Sequence, residues 1–182
     1  MKKINEIQNI MQDIEYGYLN NKKQIIIEID DNFDEEYRLQ TPEDTFKYQI
    51  GVCWDQVELE RKLFKGYDFK TYFILFNNDF WGPTHTFLVY KKNNYYYWFE
   101  NSWFDYRGIH KYNNLNELLF DIASKHIKHH QLNNINFKNI NIYKYLKPKY
   151  NIKASEYIDY CQKGKLIKIK DIRNMEDINE KI

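Results

Sequence analysis

A thiol, an imidazole and an acid or amide follow one another between residues 51 and 103. Cys53 lies in the run GVCWD, His85 in THT, and Glu100 and Asn101 in FENSW. A thiol attacks a carbonyl carbon as its thiolate. An adjacent imidazole, held in one tautomer by a third polar group, can generate that thiolate near neutral pH. The order therefore predicts a cysteine nucleophile with its base and its orienting residue.

The residues around Cys53 predict a helix that begins at or just before the thiol and stops at Gly66. At a helix N-terminus the macrodipole and unpaired N–H groups stabilise a thiolate and can hold an oxyanion. Gly51 has no Cβ, so the chain can turn sharply into this helix and a substrate can approach closely. Gln49 is a candidate second donor to the oxyanion, and a solvated loop glutamine is the alternative.

His85 and Glu100 lie on two apolar runs that flank the residues KKNN, which is a hairpin signal. If Tyr90 pairs with Tyr95, Glu100 lies directly opposite His85 on one face, with Cβ atoms about 5 Å apart. Asn101 then points to the other face, whereas an odd loop or a bulge would reverse the choice. We favour Glu100 as the third member and keep Asn101 as the alternative.

The remaining sequence predicts the elements that must position these residues. Apolar spacing and capping signals predict helices over about residues 4–17, from residue 41, over 53–66 and over 115–130. β-branched and aromatic runs predict strands over about residues 24–29, 71–76, 84–90, 95–103 and 166–169, the last an edge strand. We therefore expect one α+β domain over residues 1–182, in which the Cys-bearing helix packs on an antiparallel sheet.

Composition argues against several classes of partner. The net charge is +1, from 27 basic and 26 acidic residues, so no bulk field favours nucleic acid or an anionic membrane. No stretch approaches the roughly 18 apolar residues of a membrane span, and acidic and amide residues interrupt any signal peptide. We expect a cytoplasmic protein that binds neither nucleic acid nor membrane. Both cysteines should be reduced, with Cys161 structural.

Two further patterns have a structural and a functional interpretation. His126 and His130 have the spacing of two zinc ligands, but the Glu of the metalloprotease pattern is missing between them, so we predict no metal and no cofactor. Trp54, Trp81 and Trp103 lie near the three candidate residues and could line a cleft. Core packing is the alternative for these aromatic side chains.

Three features resemble the transglutaminase-like core of the papain-type cysteine enzymes, over about residues 42–110. They are the run GVCWD that opens a helix, His85 on a following strand and an acid on the next strand. Papain-like proteases place the His about 130 residues or more after the Cys, so the shorter spacing here suits the transglutaminase-like arrangement. That family usually has Asp followed by Pro at the third position, whereas this chain has Glu100-Asn101.

The resemblance implies attack of Cys53 on an amide or ester carbonyl, with hydrolysis or acyl transfer as the outcome. A peptide or protein amide is the implied substrate. The family also includes members without demonstrated activity. The second hypothesis is therefore an inert module that uses an aromatic cleft to bind a peptide or to assemble with a partner. The sequence leaves the oligomeric state open.

Overall fold

A computed structural model describes residues 2–76, 82–131 and 139–169. Its helices are α1 (Ile4–Gln12), α2 (Phe33–Glu36), α3 (Pro42–Tyr48), α4 (Cys53–Leu63), α5 (Leu115–His129) and α6 (Ala154–Gln162). Its strands are β1 (Tyr18–Leu19), β2 (Ile25–Ile26), β3 (Asp68–Phe76), β4 (His85–Lys92), β5 (Tyr95–Glu100), β6 (Gly108–Tyr112), β7 (Ile140–Tyr145) and β8 (Lys165–Ile167). A short 3₁₀ helix, Phe104–Tyr106, precedes β6.

The main sheet has six strands in the order β6-β5-β4-β3-β7-β8, and every neighbouring pair is antiparallel. Strands β1 and β2 form a separate small sheet. The predicted α+β class, with a Cys-bearing helix and an antiparallel sheet, is confirmed. Within the described part of the chain, no helix is both long and apolar enough to cross a membrane.

Helices cover both faces of the main sheet. Phe73 and Leu75 of β3 belong to the same buried cluster as residues of α4 and α6. Tyr72 and Ile74 point to the opposite face and pack with residues of α5. The strand alternation therefore divides the core into two layers, because successive side chains of a strand point to opposite faces. Helix α4 lies on the same face as α6.

Helix α4 is buried along most of its length although it is polar. Every residue from Cys53 to Glu60 is buried, and the polar ones are Asp55, Gln56, Glu58 and Glu60. Buried charges need partners. Arg61 supplies one, because its Nε and Nη2 donate to the two carboxylate oxygens of Glu58 at 2.9 and 3.2 Å. Because so many of these residues are polar, the sequence has no apolar stripe that would have predicted the burial of this helix.

The carboxylate of Asp55 fixes the N-terminus of α4. Its Oδ2 accepts a hydrogen bond from the backbone N–H of Val52 at 3.1 Å. Its Oδ1 accepts from the Tyr37 hydroxyl and from the backbone N–H of Gln40, both at 2.8 Å. Burial raises the pKa of Asp55 to about 6, although these hydrogen bonds lower it. The carboxylate both caps the helix and ties it to the chain before α3.

The backbone after α1 pairs with the segment that leads into α4. The N–H of Glu15 donates to the carbonyl of Gln49 at 2.9 Å, and the N–H of Gly51 donates to the carbonyl of Glu15 at 3.1 Å. The prediction that the first helix continues to near Gly17 is therefore wrong. The helix ends at Gln12 because the backbone of Glu15 pairs with another segment instead.

The β4–β5 hairpin closes later than the sequence suggested. Lys92 pairs with Tyr95, so the predicted pairing of Tyr90 with Tyr95 is wrong. The loop consists of Asn93 and Asn94, whose φ angles are 50° and 66°. Two residues with positive φ are typical of the type I′ turn that joins twisted strands, and Asn tolerates that conformation.

The shifted register changes the relation of Glu100 to His85 but not their common face. Leu88 pairs with Phe99, and continuing this register by one residue places Glu100 diagonally from His85 rather than directly opposite. Because the loop still has an even number of residues, the two side chains share one face of the sheet. Asn101 follows on the other face.

We expect Gly51→Ala to destabilise the fold. A Cβ at this position would lie 2.9 Å from Cβ of Asp55 and 3.1 Å from Cγ2 of Thr45, closer than ordinary packing allows. The free energy of unfolding, measured with urea, should fall by about 1–3 kcal/mol. The control is Lys47→Ala at an exposed position of α3, which should change it by less than about 0.5 kcal/mol. Equal stability of the two variants would show that this turn is not tightly packed.

Candidate active site

His85 and Glu100 form a buried hydrogen-bonded pair. Nε2 of His85, the first residue of β4, lies 2.8 Å from Oε2 of Glu100, the last residue of β5. Trp98 Nε1 donates to the same Oε2 at 3.1 Å. The Ser102 hydroxyl and the Trp103 backbone N–H donate to Oε1 at 2.9 and 2.8 Å. Both oxygens of the carboxylate are therefore held in place.

The surroundings of this pair favour charge on both partners. Burial lowers the pKa of His85, but the Glu100 charge and the hydrogen bonds to Cys53 and Glu100 outweigh it and raise the pKa to about 10. Burial raises the pKa of Glu100, but His85 and the neighbouring donors outweigh it, so that pKa is lowered. At neutral pH the pair is therefore an imidazolium and a carboxylate.

Cys53, the first residue of α4, interacts with His85. A hydrogen bond with Cys53 is among the interactions that raise the pKa of His85. Since Nε2 of His85 faces Glu100, Nδ1 is the nitrogen available to the thiol. Cys53 is only 5 % exposed, and its backbone N–H has no acceptor within the helix. His85 thus interacts with Glu100 through a hydrogen bond of 2.8 Å and with Cys53, which helps to raise its pKa.

Tyr16 is a member of the site that the sequence analysis missed. Burial, the nearby charges of Cys53, Asp55 and Glu100, and a hydrogen bond with Cys53 raise the pKa of its hydroxyl well above the usual value. No local sequence pattern identifies Tyr16, because it lies just beyond α1. The backbone pairing of Glu15 is what brings it near Cys53. Only a long-range contact could have revealed it.

A cleft of about 370 Å³ opens beside the imidazole. Its walls combine aromatic rings with imidazoles, and the residues that line it include Tyr16, His85, Trp103, Phe104, His126 and His129. Phe104 is 79 % exposed and stands at the edge of the cleft. A substrate that enters here meets His85 and Tyr16 together.

Asn101, the alternative third member, makes its contacts elsewhere. Its Nδ2 donates to the carbonyl of Met11 at 2.8 Å and to Oε1 of Gln56 at 2.7 Å. Its backbone carbonyl accepts from Nε of Arg107 at 2.8 Å. Asn101 thus joins the end of α1 to α4 and β5, while the carboxylate of Glu100 accepts the hydrogen bond from His85.

The other predicted residues lie in different environments. Gln49 is exposed, in a left-handed conformation at the end of α3, and its carbonyl accepts from the backbone after α1. Trp54 does not line the cleft as predicted, because it is buried and stacks on Tyr157 with ring centroids 4.7 Å apart. Trp103 lines the cleft, and Trp81 lies outside the described residues.

The histidines of α5 make contacts with the protein around them. His126 is buried, its Nε2 lies 3.2 Å from the carbonyl of Pro83, and burial lowers its pKa to about 3, so it is neutral. His129 accepts a hydrogen bond from Trp103 Nε1 at 3.3 Å. In the ranges that the structure describes, no three His, Cys, Asp or Glu side chains are grouped to hold a metal ion.

Comparison with protein families identifies the family to which the chain belongs. Residues 1–113 match the family described as "Transglutaminase-like domain". The match covers more than half of the 182 residues, and the chain belongs to this family. No curated protein and no solved structure matches it. The matched range contains Cys53, His85 and Glu100, and it also contains Tyr16, which lies outside the range of the sequence resemblance.

The pKa of His85 should distinguish Glu100 from Asn101 as its partner. Glu100→Gln should lower that pKa from about 10, because the neutral amide no longer opposes the effect of burial. The measurement is an NMR titration of the His85 ring. Asn101→Ala should leave the titration close to wild type while reducing stability, since the bonds to Met11 and Gln56 are lost. The reverse ranking would assign the orienting role to Asn101.

Proposed function

We propose that this protein is a cysteine-dependent hydrolase or acyl transferase that acts on an amide or ester carbonyl. The observation that carries the proposal is the chain of contacts from the Cys53 thiol through His85 to Glu100, with the imidazole and carboxylate 2.8 Å apart. In such an arrangement the helix N-terminus and the imidazolium both stabilise negative charge on sulfur. Membership of a transglutaminase-like family supports the same chemistry.

The proposed reaction has two stages. The Cys53 thiolate attacks the carbonyl carbon, and the electrons of the C=O π bond move to oxygen. When this tetrahedral intermediate collapses, the bond to the leaving nitrogen or oxygen breaks, and His85 gives that atom its proton. A thioester remains on Cys53. His85, now neutral, takes a proton from the second acceptor as it attacks the thioester, and the Cys53 thiolate is released.

The identity of the second acceptor decides the overall reaction. Water as acceptor gives hydrolysis, and an amine gives acyl transfer. Glu100 acts throughout by stabilising the imidazolium and fixing the ring. We propose a peptide or protein amide as the substrate, because the cleft beside His85 is open and lined with aromatic rings suited to peptide side chains.

The second candidate is a binding module without catalysis. Two observations favour it: the thiol is nearly buried, and Cys53 is not among the residues that line the cleft beside His85. In this alternative the aromatic cleft holds a peptide, and Cys53 packs as an ordinary buried side chain. The reactivity of the thiol separates the two candidates.

Iodoacetamide at pH 7 should modify Cys53 at least about tenfold faster than Cys161. Cys161 is fully buried on α6, and burial raises its pKa well above the usual value, so its thiolate is scarce. Mass spectrometry of the two cysteine peptides over time gives both rates. Cys53→Ala is the control for assignment, and equal rates at the two positions would favour the binding module.

The alkaline limit of activity should depend on Glu100. Acylation by an amide needs the protonated imidazole, so the rate should fall as pH rises through the His85 pKa of about 10. In Glu100→Gln this fall should occur at lower pH, because the pKa of the imidazole is lower. A screen of small amide and peptide substrates, followed by a pH–rate profile of the best one, provides the measurement. An alkaline limit unchanged by the substitution would contradict the assigned role of His85.

A further inference from the structure

We propose that the Tyr16 hydroxyl donates a hydrogen bond to the oxyanion that forms when Cys53 attacks a carbonyl. The second donor is the backbone N–H of Cys53. This inference rests on the proposed function, because it assigns a role in the same reaction. It replaces the expectation that Gln49 serves as the donor, since Gln49 is exposed at the end of α3.

The backbone holds Tyr16 in a fixed position relative to the thiol. Glu15, the preceding residue, pairs with the segment that enters α4 through hydrogen bonds of 2.9 and 3.1 Å. Gly17, the following residue, is packed so closely that a Cβ would lie 2.6 Å from the carbonyl oxygen of Ile26. The neighbours of Tyr16 on both sides are therefore held in place. The segment that pairs with Glu15 is the one that leads into Cys53.

The Tyr16 side chain connects the cleft to the thiol. Tyr16 is 44 % exposed and lines the cleft, and a hydrogen bond with Cys53 is among the interactions that raise the pKa of its hydroxyl. His85 lines the same cleft. A carbonyl held in this cleft therefore lies beside both Tyr16 and His85.

The hydroxyl can donate a hydrogen bond first to the sulfur and then to the oxyanion without movement of the ring. The carbonyl oxygen is bonded to the same carbon that the sulfur attacks, so a donor beside the sulfur is close to that oxygen. Rotation of the O–H bond redirects the proton from Sγ to the oxyanion. Because burial raises the pKa of Tyr16 well above the usual value, the hydroxyl keeps its proton and remains a donor at neutral pH.

The backbone N–H of Cys53 completes the pair of donors. As the first residue of α4, Cys53 has an N–H without an intrahelical acceptor. The capping carboxylate of Asp55 is engaged by Val52, Tyr37 and Gln40 and leaves this group to the substrate. Two donors aimed at a developing oxyanion form the arrangement that stabilises acyl-transfer intermediates.

The test compares two reactions of the same thiol. Acylation of Cys53 by p-nitrophenyl acetate passes through an oxyanion, whereas alkylation by iodoacetamide displaces iodide and forms none. Mass spectrometry of the Cys53 peptide measures both rates at one pH, with Cys53→Ala as the blank. Tyr16→Phe removes only the hydroxyl. Tyr106→Phe is the matched control, because its ring packs near Trp103, with centroids 4.7 Å apart, but does not line the cleft.

Tyr16→Phe should lower the ratio of acylation to alkylation on the order of 100-fold, the usual effect of removing one oxyanion donor. Tyr106→Phe should leave the ratio unchanged. Equal slowing of both reactions would show that Tyr16 acts only on the thiolate, and faster reaction of both would show that it only covers the thiol. Either result, or no change at all, overturns the inference.

Failure of the proposed function has a different signature. In that case wild-type Cys53 reacts no faster than Cys161 with either reagent, whatever the effect of Tyr16→Phe on the ratio. A reactive Cys53 whose ratio is insensitive to the Tyr16 hydroxyl overturns only the oxyanion assignment. The two proposals therefore fail on separate measurements made with the same variants.

Discussion

The buried N-terminus of α4 is the constraint on which the site depends. A helix end inside a protein carries N–H groups without acceptors, and each unsatisfied group costs free energy. Here Asp55 accepts from Val52, from Tyr37 and from Gln40, so one carboxylate fixes the helix end against the segment that precedes α3. Because Cys53 is the first residue of this helix, the same bonds fix the position of the thiol. The sulfur is thus located by the fixed helix end together with the packing of Cys53 in the core.

A second constraint is the balance of charge between His85 and Glu100. The imidazolium of His85 and the carboxylate of Glu100 are both buried, and their desolvation is offset by mutual attraction and by the donors around Glu100. Glu60 of α4 lies close enough to interact with both. Burial, together with the Glu100 charge, raises the pKa of Glu60 well above the usual value. The raised pKa favours the neutral form of Glu60, which weakens its competition with Glu100 for the imidazolium.

Local patterns predicted the fold class and the face shared by His85 and Glu100, because strand alternation and helix capping depend on neighbouring residues. Thr41 illustrates this, since its hydroxyl accepts from the N–H of Asp44 as the capping signal predicts. The hairpin register was wrong because an Asn-Asn type I′ turn was not distinguished from a longer loop. Strands β6 and β7 and helix α6 were not predicted. Tyr16 was missed because only the distant pairing of Glu15 brings it to the thiol, and no local pattern encodes such a contact.

The misassigned Trp54 explains how the thiol is oriented. Adjacent residues of a helix point in directions about 100° apart, so burying one side chain sets the direction of the next. Trp54 stacks on Tyr157 of α6 at 4.7 Å and meets Tyr37 at 5.6 Å. Rotation of α4 about its axis would break these contacts. Trp54, which was a candidate for lining the cleft, instead prevents that rotation. Cys53 is therefore kept directed toward His85.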